Sequence, residues 1–127
     1  MTYKQAIDEI VSFLSDKWGL NEQFARLVAP LFLYLNSYHI QWRINSGFRS
    51  VKEQEELYRA WLKGTPGIYT PALPGKSLHN NVNWIGQPSS LAIDIWTSNP
   101  QGAGWIASKI GLRWMGMRDP VHFQQAA

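Results

Sequence analysis

Two stretches of the sequence contain side chains that could together hold a metal ion. The first contains His79 and, after a loop, Asp94, and the second contains Asp119 and His122. A catalytic zinc ion takes three protein ligands and leaves a fourth position to water. His79, Asp94 and His122 would supply those ligands. Asp119, three residues before His122, would be the general base that takes a proton from the water, so this set of residues predicts a one-zinc hydrolase.

The distribution of ionisable residues supports this prediction. Asp94 and Asp119 are the only carboxylic side chains after Glu56, and two of the three histidines of the chain belong to the same group. Asp94 also lies in an apolar segment, 91–96, where a carboxylate is costly to bury without a partner such as a metal ion. For a single histidine the alternative is structural, either a turn cap or a hydrogen-bonded residue of the core. The joint pattern favours the metal site.

Other motifs along the chain agree with this group. In chain order they are Ser46-Gly47-Phe48-Arg49-Ser50 with Gln54 and Leu57-Tyr58, Ser77-x-His79, Leu91-Ala92-Ile93-Asp94, Trp114, and Asp119-x-x-His122-Phe123-Gln124. Together they resemble the motifs of the peptidoglycan-cutting zinc peptidases of the VanY/VanX type, peptidase family M15. That family includes D-alanyl-D-alanine carboxypeptidases and the L-alanyl-D-glutamate endopeptidases of phage lysis. The resemblance extends over residues 24–125.

The resemblance implies a zinc-dependent peptidase that cuts the stem peptide of peptidoglycan, with Zn²⁺ as cofactor. We expect an L-alanyl-D-glutamate endopeptidase of the phage or prophage endolysin type, because the chain is small and basic and shows no signal peptide. A D-alanyl-D-alanine carboxypeptidase, which needs a pocket for a terminal carboxylate, is the alternative. Two further alternatives are a non-catalytic metal- or wall-binding module of this fold and a structural protein with an accidental motif.

Arg49 has two interpretations. It could form a surface ion pair with Glu53, which would contribute little to stability. The resemblance instead favours a catalytic role, in which Arg49 hydrogen-bonds the oxyanion of the reaction or clamps a substrate carboxylate. Ser46 and Gln54 would orient substrate or ligands, although roles in a turn and on a helix face fit their positions equally well.

Three more residues are candidates for substrate binding. Ser77 would hydrogen-bond the substrate backbone or support a metal ligand. Trp84 and Trp114 are candidates to line the cleft, although most tryptophans of a small domain belong to its core.

The sequence departs from the family pattern between the first two ligands. His79 and Asp94 lie fifteen positions apart, where the family usually has a short gap, and Ser90 stands in place of the usual glycine. The extra residues form a predicted inserted loop, 80–90, rich in Asn, Gly, Pro and Ser. Such a loop is compatible with metal binding if its ends stay close, and it could act as a lid that selects the substrate. In addition, Met115-Gly116 replaces the usual Gly-Gly.

Composition limits the class of protein further. The chain has 127 residues, 45% of them hydrophobic, and no cysteine, so we expect one domain with a core and without disulfides or a cysteine zinc site. There is no apolar run long enough to span a membrane, and Asp8 and Glu9 in the first apolar pattern are unlike a secretory signal. We expect synthesis in the cytoplasm, with action on the cell wall after release.

The net charge of +3 is uneven, because residues 57–127 hold six basic and two acidic side chains. A positive field suits the anionic bacterial wall. Nucleic acid is disfavoured as a partner because the basic residues do not cluster. We expect the protein to be a monomer.

The helices and strands predicted along the chain indicate an α+β fold, with a small, mostly antiparallel sheet backed by helices. These elements must position the candidate site residues. The predicted helices are 3–18, 22–38, 50–63 and 100–110, the strands are 40–45, 91–96, 112–115 and 121–124, and 64–76 is a loop. The resemblance implies a Hedgehog/D-Ala-D-Ala-peptidase-like catalytic domain over residues 1–127, with 1–38 as a helical scaffold.

Local signals mark several of these boundaries. Gly19 should end the first helix, Pro30 should kink or divide the second, and Ser50 with Glu53 forms a capping box at the start of the third. The third helix should turn its apolar residues to the core, namely Leu57, Tyr58, Trp61 and Leu62.

Overall fold

The structure is a computed structural model that describes residues 1–68 and 70–126. Tyr69, within the predicted loop 64–76, and Ala127 lie outside the described residues. The described helices are α1 (Tyr3–Trp18), α2 (Glu22–Ser37), α3 (Val51–Leu62) and α4 (Pro100–Lys109). The strands are β1 (Trp42–Ser46), β2 (Ala92–Thr97), β3 (Leu112–Trp114) and β4 (His122–Gln125), and two short 3₁₀ turns cover Leu78–Asn80 and Gly116–Arg118. The predicted α+β architecture is confirmed.

The helix boundaries follow the local signals. Gly19 adopts a left-handed conformation, with φ 66°, directly after α1. At the start of α3, the Ser50 hydroxyl accepts from the Glu53 amide and the Glu53 carboxylate accepts from the Ser50 amide, both at 3.1 Å. The predicted division at Pro30 is wrong, because α2 continues through it. Its neighbours Ala29 and Leu31 are fully buried, and their packing offsets the one hydrogen bond that proline cannot donate.

The four strands form one antiparallel sheet in the order β1-β2-β4-β3. Because side chains alternate along a strand, Ile93 and Ile95 point to the face opposite Asp94. Ile93 and Ile95 are buried together with Phe123 of β4 in one core with α1, α2 and α4. Helices α1, α2 and α4 therefore cover one face of the sheet, and Asp94 lies on the other.

Helix α3 differs from the prediction. Leu62 is 63% exposed, and Leu57, Tyr58 and Trp61 are only half-buried and lie outside the core. The fully buried side chain of α3 is polar Gln54, which is 1% exposed. The reason is the position of α3 beside a polar cleft, where Leu57 lines the wall. None of the helices in the described ranges has the length and apolar character needed to cross a lipid bilayer.

Candidate metal centre

Two of the predicted ligands are neighbours across the sheet. Asp94 of β2 pairs with His122 of β4, and on its other side Asp94 pairs with Ser46 of β1 after a register shift in β1. The three side chains thus come from adjacent positions on three neighbouring strands. Their placement follows from strand pairing, which brings residues 48 and 28 positions from Asp94 in sequence to within side-chain reach.

The third predicted ligand, His79, reaches the site from the 3₁₀ turn Leu78–Asn80. The Ser77 hydroxyl accepts a hydrogen bond from the His79 amide at 3.1 Å and so caps this turn. The carbonyl of His79 accepts from the Arg49 amide at 2.9 Å, and the carbonyl of Leu78 accepts from the Leu91 amide at 3.1 Å. These bonds hold the turn against the sheet, with the His79 side chain only 2% exposed.

Three potential ligand atoms converge at the centre of the site. His79 Nε2 lies 3.3 Å from Asp94 Oδ1 and 3.4 Å from His122 Nδ1, and the last two atoms are 3.2 Å apart. Tetrahedral zinc with ligands at about 2.0–2.1 Å sets its ligand atoms about 3.3–3.4 Å apart. The side chains form a group that can hold a metal ion, and their spacing fits the edges of a zinc tetrahedron.

The hydrogen bonds on the far side of each imidazole leave lone pairs pointing at the centre. His79 Nδ1 lies 2.7 Å from the Gly47 carbonyl, which can only accept, so Nδ1 is protonated and Nε2 is free. His122 Nε2 lies 2.9 Å from Gln124 Oε1, an equivalent arrangement that frees Nδ1. Asp94 Oδ1 is buried without a hydrogen-bond partner. With both imidazoles neutral these are three mutually facing acceptors that repel one another, and a proton on one imidazole or a bound cation would relieve that repulsion.

The ionisation of the site follows from its mutual contacts. Burial by itself would raise the pKa of the Asp94 carboxyl, but the imidazoles of His122 and His79 outweigh it and hold that pKa well below its usual range. Burial likewise would lower the pKa of His122, but the neighbouring Asp94 carboxylate raises it. Asp94 is therefore a carboxylate at neutral pH, the form that a metal ion requires.

Asp119 lies on the wall of the same cleft and is half-buried. The 3₁₀ turn Gly116–Arg118 positions it, since its amide donates to the Gly116 carbonyl at 3.2 Å, and its own carbonyl accepts from the His122 amide at 3.1 Å. Burial raises the pKa of the Asp119 carboxyl, and the negative charge of Asp94 raises it further. A carboxyl with a raised pKa is suited to accept and return a proton.

Arg49 and Gln54 are hydrogen-bonded to each other beside Asp94, and we call this pair the bracket. One terminal nitrogen of Arg49, Nη2, donates to Asp94 Oδ2 at 3.3 Å and to Ser46 Oγ at 3.1 Å, and the other donates to Gln54 Oε1 at 2.7 Å. Gln54 in turn donates to the Ala72 carbonyl at 2.7 Å. The alternative ion pair between Arg49 and Glu53 does not form among the described contacts. Because Arg49 holds Oδ2, Oδ1 of Asp94 is turned toward the histidines.

A cleft of about 830 Å³ opens in front of these residues. The structure places seven of the ten predicted site residues on its lining: His79, Asp94, His122, Asp119, Arg49, Gln54 and Ser77. Ser46 touches the site through Arg49 without lining the cleft.

The two predicted tryptophans are not brought to the cleft. Trp84 is 94% exposed on the loop 80–90, and residues 85–88 after it are exposed as well. Trp114 packs against Gly104 of α4, where a Cβ would come within 2.3 Å of the indole ring. Its Nε1 donates to the Pro120 carbonyl at 2.9 Å, so Trp114 supports the turn that carries Asp119.

Sequence reasoning missed the partners of the ligands. Gln124 follows His122 by two residues on a strand, so the alternation of side chains could have placed both on one face. Asn80 is buried and donates to the Arg49 carbonyl at 2.7 Å. The acceptor for His79 is the backbone carbonyl of Gly47. The direction of a backbone carbonyl cannot be predicted from the type of residue that carries it.

Neither the models of protein families nor the sequences of curated proteins give a match to this chain. Solved structures do. A mutant of the vancomycin resistance D,D-pentapeptidase VanY from a VanB-type resistance cassette, in complex with Zn(II), matches with a TM-score of 0.61 at 15% identity, over 85% of this chain and 73% of that chain.

Two further structures are similar. The LdcB LD-carboxypeptidase, whose structure bears on peptidoglycan recognition, matches with a TM-score of 0.61 at 18% identity, over 84% of this chain and 58% of that chain. VanYB in complex with D-Alanine-D-Alanine matches with a TM-score of 0.58 at 16% identity, over 83% of this chain and 70% of that chain. These likenesses show that the chain has the α+β fold of the VanY and LdcB structures.

Proposed function

We propose that this chain is a zinc-dependent peptidase of the VanY/VanX type that hydrolyses amide bonds in the stem peptides of peptidoglycan. One observation carries the proposal. Three acceptor atoms, from His79, Asp94 and His122, face one another at 3.2–3.4 Å beside an open cleft. We also propose that residues 1–127 act as one catalytic domain in which 1–38 are scaffold.

The roles of the side chains follow from their places around this point. A zinc ion held there would supply Lewis acidity and lower the pKa of a water molecule at its open position to about 7. Asp119 would accept the proton of the attacking water at its carboxylate and return it to the departing amine. Arg49 would contribute positive charge beside the developing oxyanion while keeping Asp94 in place.

The choice of substrate rests on the fold and on charge. Similar structures include a protein in complex with D-Alanine-D-Alanine and one that bears on peptidoglycan recognition. The cleft lining carries the cations Arg49 and Lys76, which suit a peptide rich in carboxylates.

For the bond that is cut, we propose the one between L-alanine and D-glutamate. A carboxypeptidase needs a cation free to bind a terminal carboxylate. Both terminal nitrogens of Arg49 are already bonded, to Gln54, Ser46 and Asp94, which leaves Lys76 of the cleft lining for that role. The D-alanyl-D-alanine carboxypeptidase stays as the second candidate, since VanYB in complex with D-Alanine-D-Alanine shares this fold.

The test is digestion of purified peptidoglycan by the zinc-loaded protein, followed by mass spectrometry of the released fragments. New amino termini at D-glutamate would support the endopeptidase, and loss of terminal D-alanine would support the carboxypeptidase. Asp119→Asn should abolish either reaction with zinc still bound, whereas Asp16→Asn, the same change on the exposed side of α1, should not.

Two outcomes would contradict the proposal. A wild-type protein that binds zinc but releases no fragment would be a metal- or wall-binding module of this fold. A protein that retains no zinc after dialysis against trace metal would have the motif without the site.

A further inference from the structure

The inserted loop forms a closed turn, which we call the Trp84 turn (residues 81–89). Its two ends are joined, because the Ser89 amide donates to the Asn81 carbonyl at 3.0 Å and the Asn81 side chain donates to the Ser89 carbonyl at 2.7 Å. Val82 and Pro88 continue this pairing as an antiparallel bridge. The insertion is therefore a short hairpin-like turn with a defined shape.

Asn83 braces the tip of the turn. Its side-chain Oδ1 accepts from the backbone amides of Ile85 at 3.0 Å and Gln87 at 2.9 Å. The backbone amide of Asn83 donates to the Gln87 carbonyl at 2.9 Å. Gly86, with φ 82°, permits the reversal and donates to the Asn83 carbonyl at 3.0 Å. The backbone at the tip is held before any partner arrives, so binding there would cost little ordering of the chain.

This braced tip presents apolar side chains to solvent. Trp84 is 94% exposed, Ile85 53% and Val82 46%. An aromatic side chain typically buries about 150–250 Å² when it finds a partner. Clustered apolar exposure on a rigid turn is typical of a binding surface rather than of a solvated loop.

The charge of the surrounding segment narrows the class of partner. Residues 77–93 contain no Asp, Glu, Lys or Arg. Attachment to anionic lipid headgroups draws on Lys and Arg next to the apolar residues. This segment has none, and the charged side chains that share a groove with Asn83 and Gln87 are acidic in balance, namely Asp8, Asp16, Glu22 and Arg26. An uncharged aromatic tip instead matches an uncharged sugar, whose C–H groups can stack on the electron-rich face of the indole.

We propose that the Trp84 turn binds the uncharged N-acetylated sugars of the peptidoglycan glycan strand; the inference rests on the proposed peptidoglycan substrate. Trp84 follows His79 by five residues, so the two backbones are at most about 18 Å apart. Because stem peptides are attached to the glycan, a contact at this distance would hold the strand while a stem peptide enters the cleft.

The test uses the 127-residue chain and soluble oligomers of N-acetylglucosamine, an uncharged N-acetylated sugar of the glycan strand, with fluorescence titration as the binding assay. Trp84→Ala should bind glycan about tenfold more weakly or worse, equivalent to about 1.4 kcal/mol, with its zinc content unchanged. Trp84→Phe should restore part of the affinity. The matched control is Trp105→Ala on α4, a tryptophan 61% exposed, which should bind like the wild type.

Equal glycan binding by Trp84→Ala and the wild type would overturn the inference, as would binding of the wild type to anionic phospholipid vesicles but not to glycan. The binding assay does not depend on hydrolysis. Glycan binding through Trp84 without any cleavage would contradict the peptidase proposal alone, and cleavage with no glycan contribution from Trp84 would contradict this one alone.

Discussion

Gln54 offers a stringent test of the bracket behind the metal centre. Its side chain is 1% exposed and uses both ends of its amide, accepting from Arg49 and donating to the Ala72 carbonyl, each at 2.7 Å. Gln54→Met keeps the length of the side chain and removes both hydrogen bonds. The substitution therefore reports on these bonds rather than on a cavity.

The expected loss of stability can be estimated from the two bonds. A hydrogen bond to a charged group contributes about 1.5–3 kcal/mol and a neutral one about 0.5–1.5 kcal/mol. Ala72 is exposed, so water can replace the second donor and its loss costs the lower figure. We expect the free energy of unfolding of Gln54→Met to fall by about 2–3.5 kcal/mol, which corresponds to a decrease in Tm of about 6–18 °C for a chain of this size.

The assay is urea unfolding of wild type and variant in the presence of a chelator, so that metal binding does not mask the difference. The matched control is Gln101→Met, because Gln101 is exposed on α4 and its change should stay within about 0.5 kcal/mol. A free energy of unfolding for Gln54→Met within that same margin of the wild type would refute the assignment of Gln54 as a buried bracket.

Three further predictions concern the metal centre and its support. His79→Ala and His122→Ala should each weaken zinc binding by more than about 100-fold in a competition titration. The control is His39→Asn, chosen because asparagine tolerates the positive φ of 58° at position 39, and this variant should bind zinc like the wild type. Gly47→Ala should lower the free energy of unfolding by about 1–3 kcal/mol, because its Cβ would lie 2.2 Å from the Trp18 carbonyl oxygen; wild-type stability in chemical denaturation would contradict this. Zinc at a hundredfold excess over its Kd should raise the free energy of unfolding by about 2.7 kcal/mol, and a thermal melt unchanged by zinc would contradict the site.

The sequence alone was enough for features whose causes are local. The start of α3 depends on Ser50 and Glu53, three residues apart, and the end of α1 on the left-handed Gly19, so both could be predicted from residue type and spacing. The apolar segment 91–96 likewise identified β2. The metal-binding group was predictable because few residue types can bind a metal and few of them occur after Glu56.

Only the tertiary structure decided how these residues face one another. Whether Gln54 lies on a free helix face or in a buried bracket depends on where α3 packs. The apolar residues of α3 proved half-buried or exposed for the same reason. The partner of His79 is a carbonyl of Gly47, whose direction is set by β1 and the turn after it. Trp84 projects into solvent because hydrogen bonds within its own turn hold it there, and hydrophobicity alone predicts the opposite. Residue type determines which chemistry is available, whereas packing determines which atoms meet.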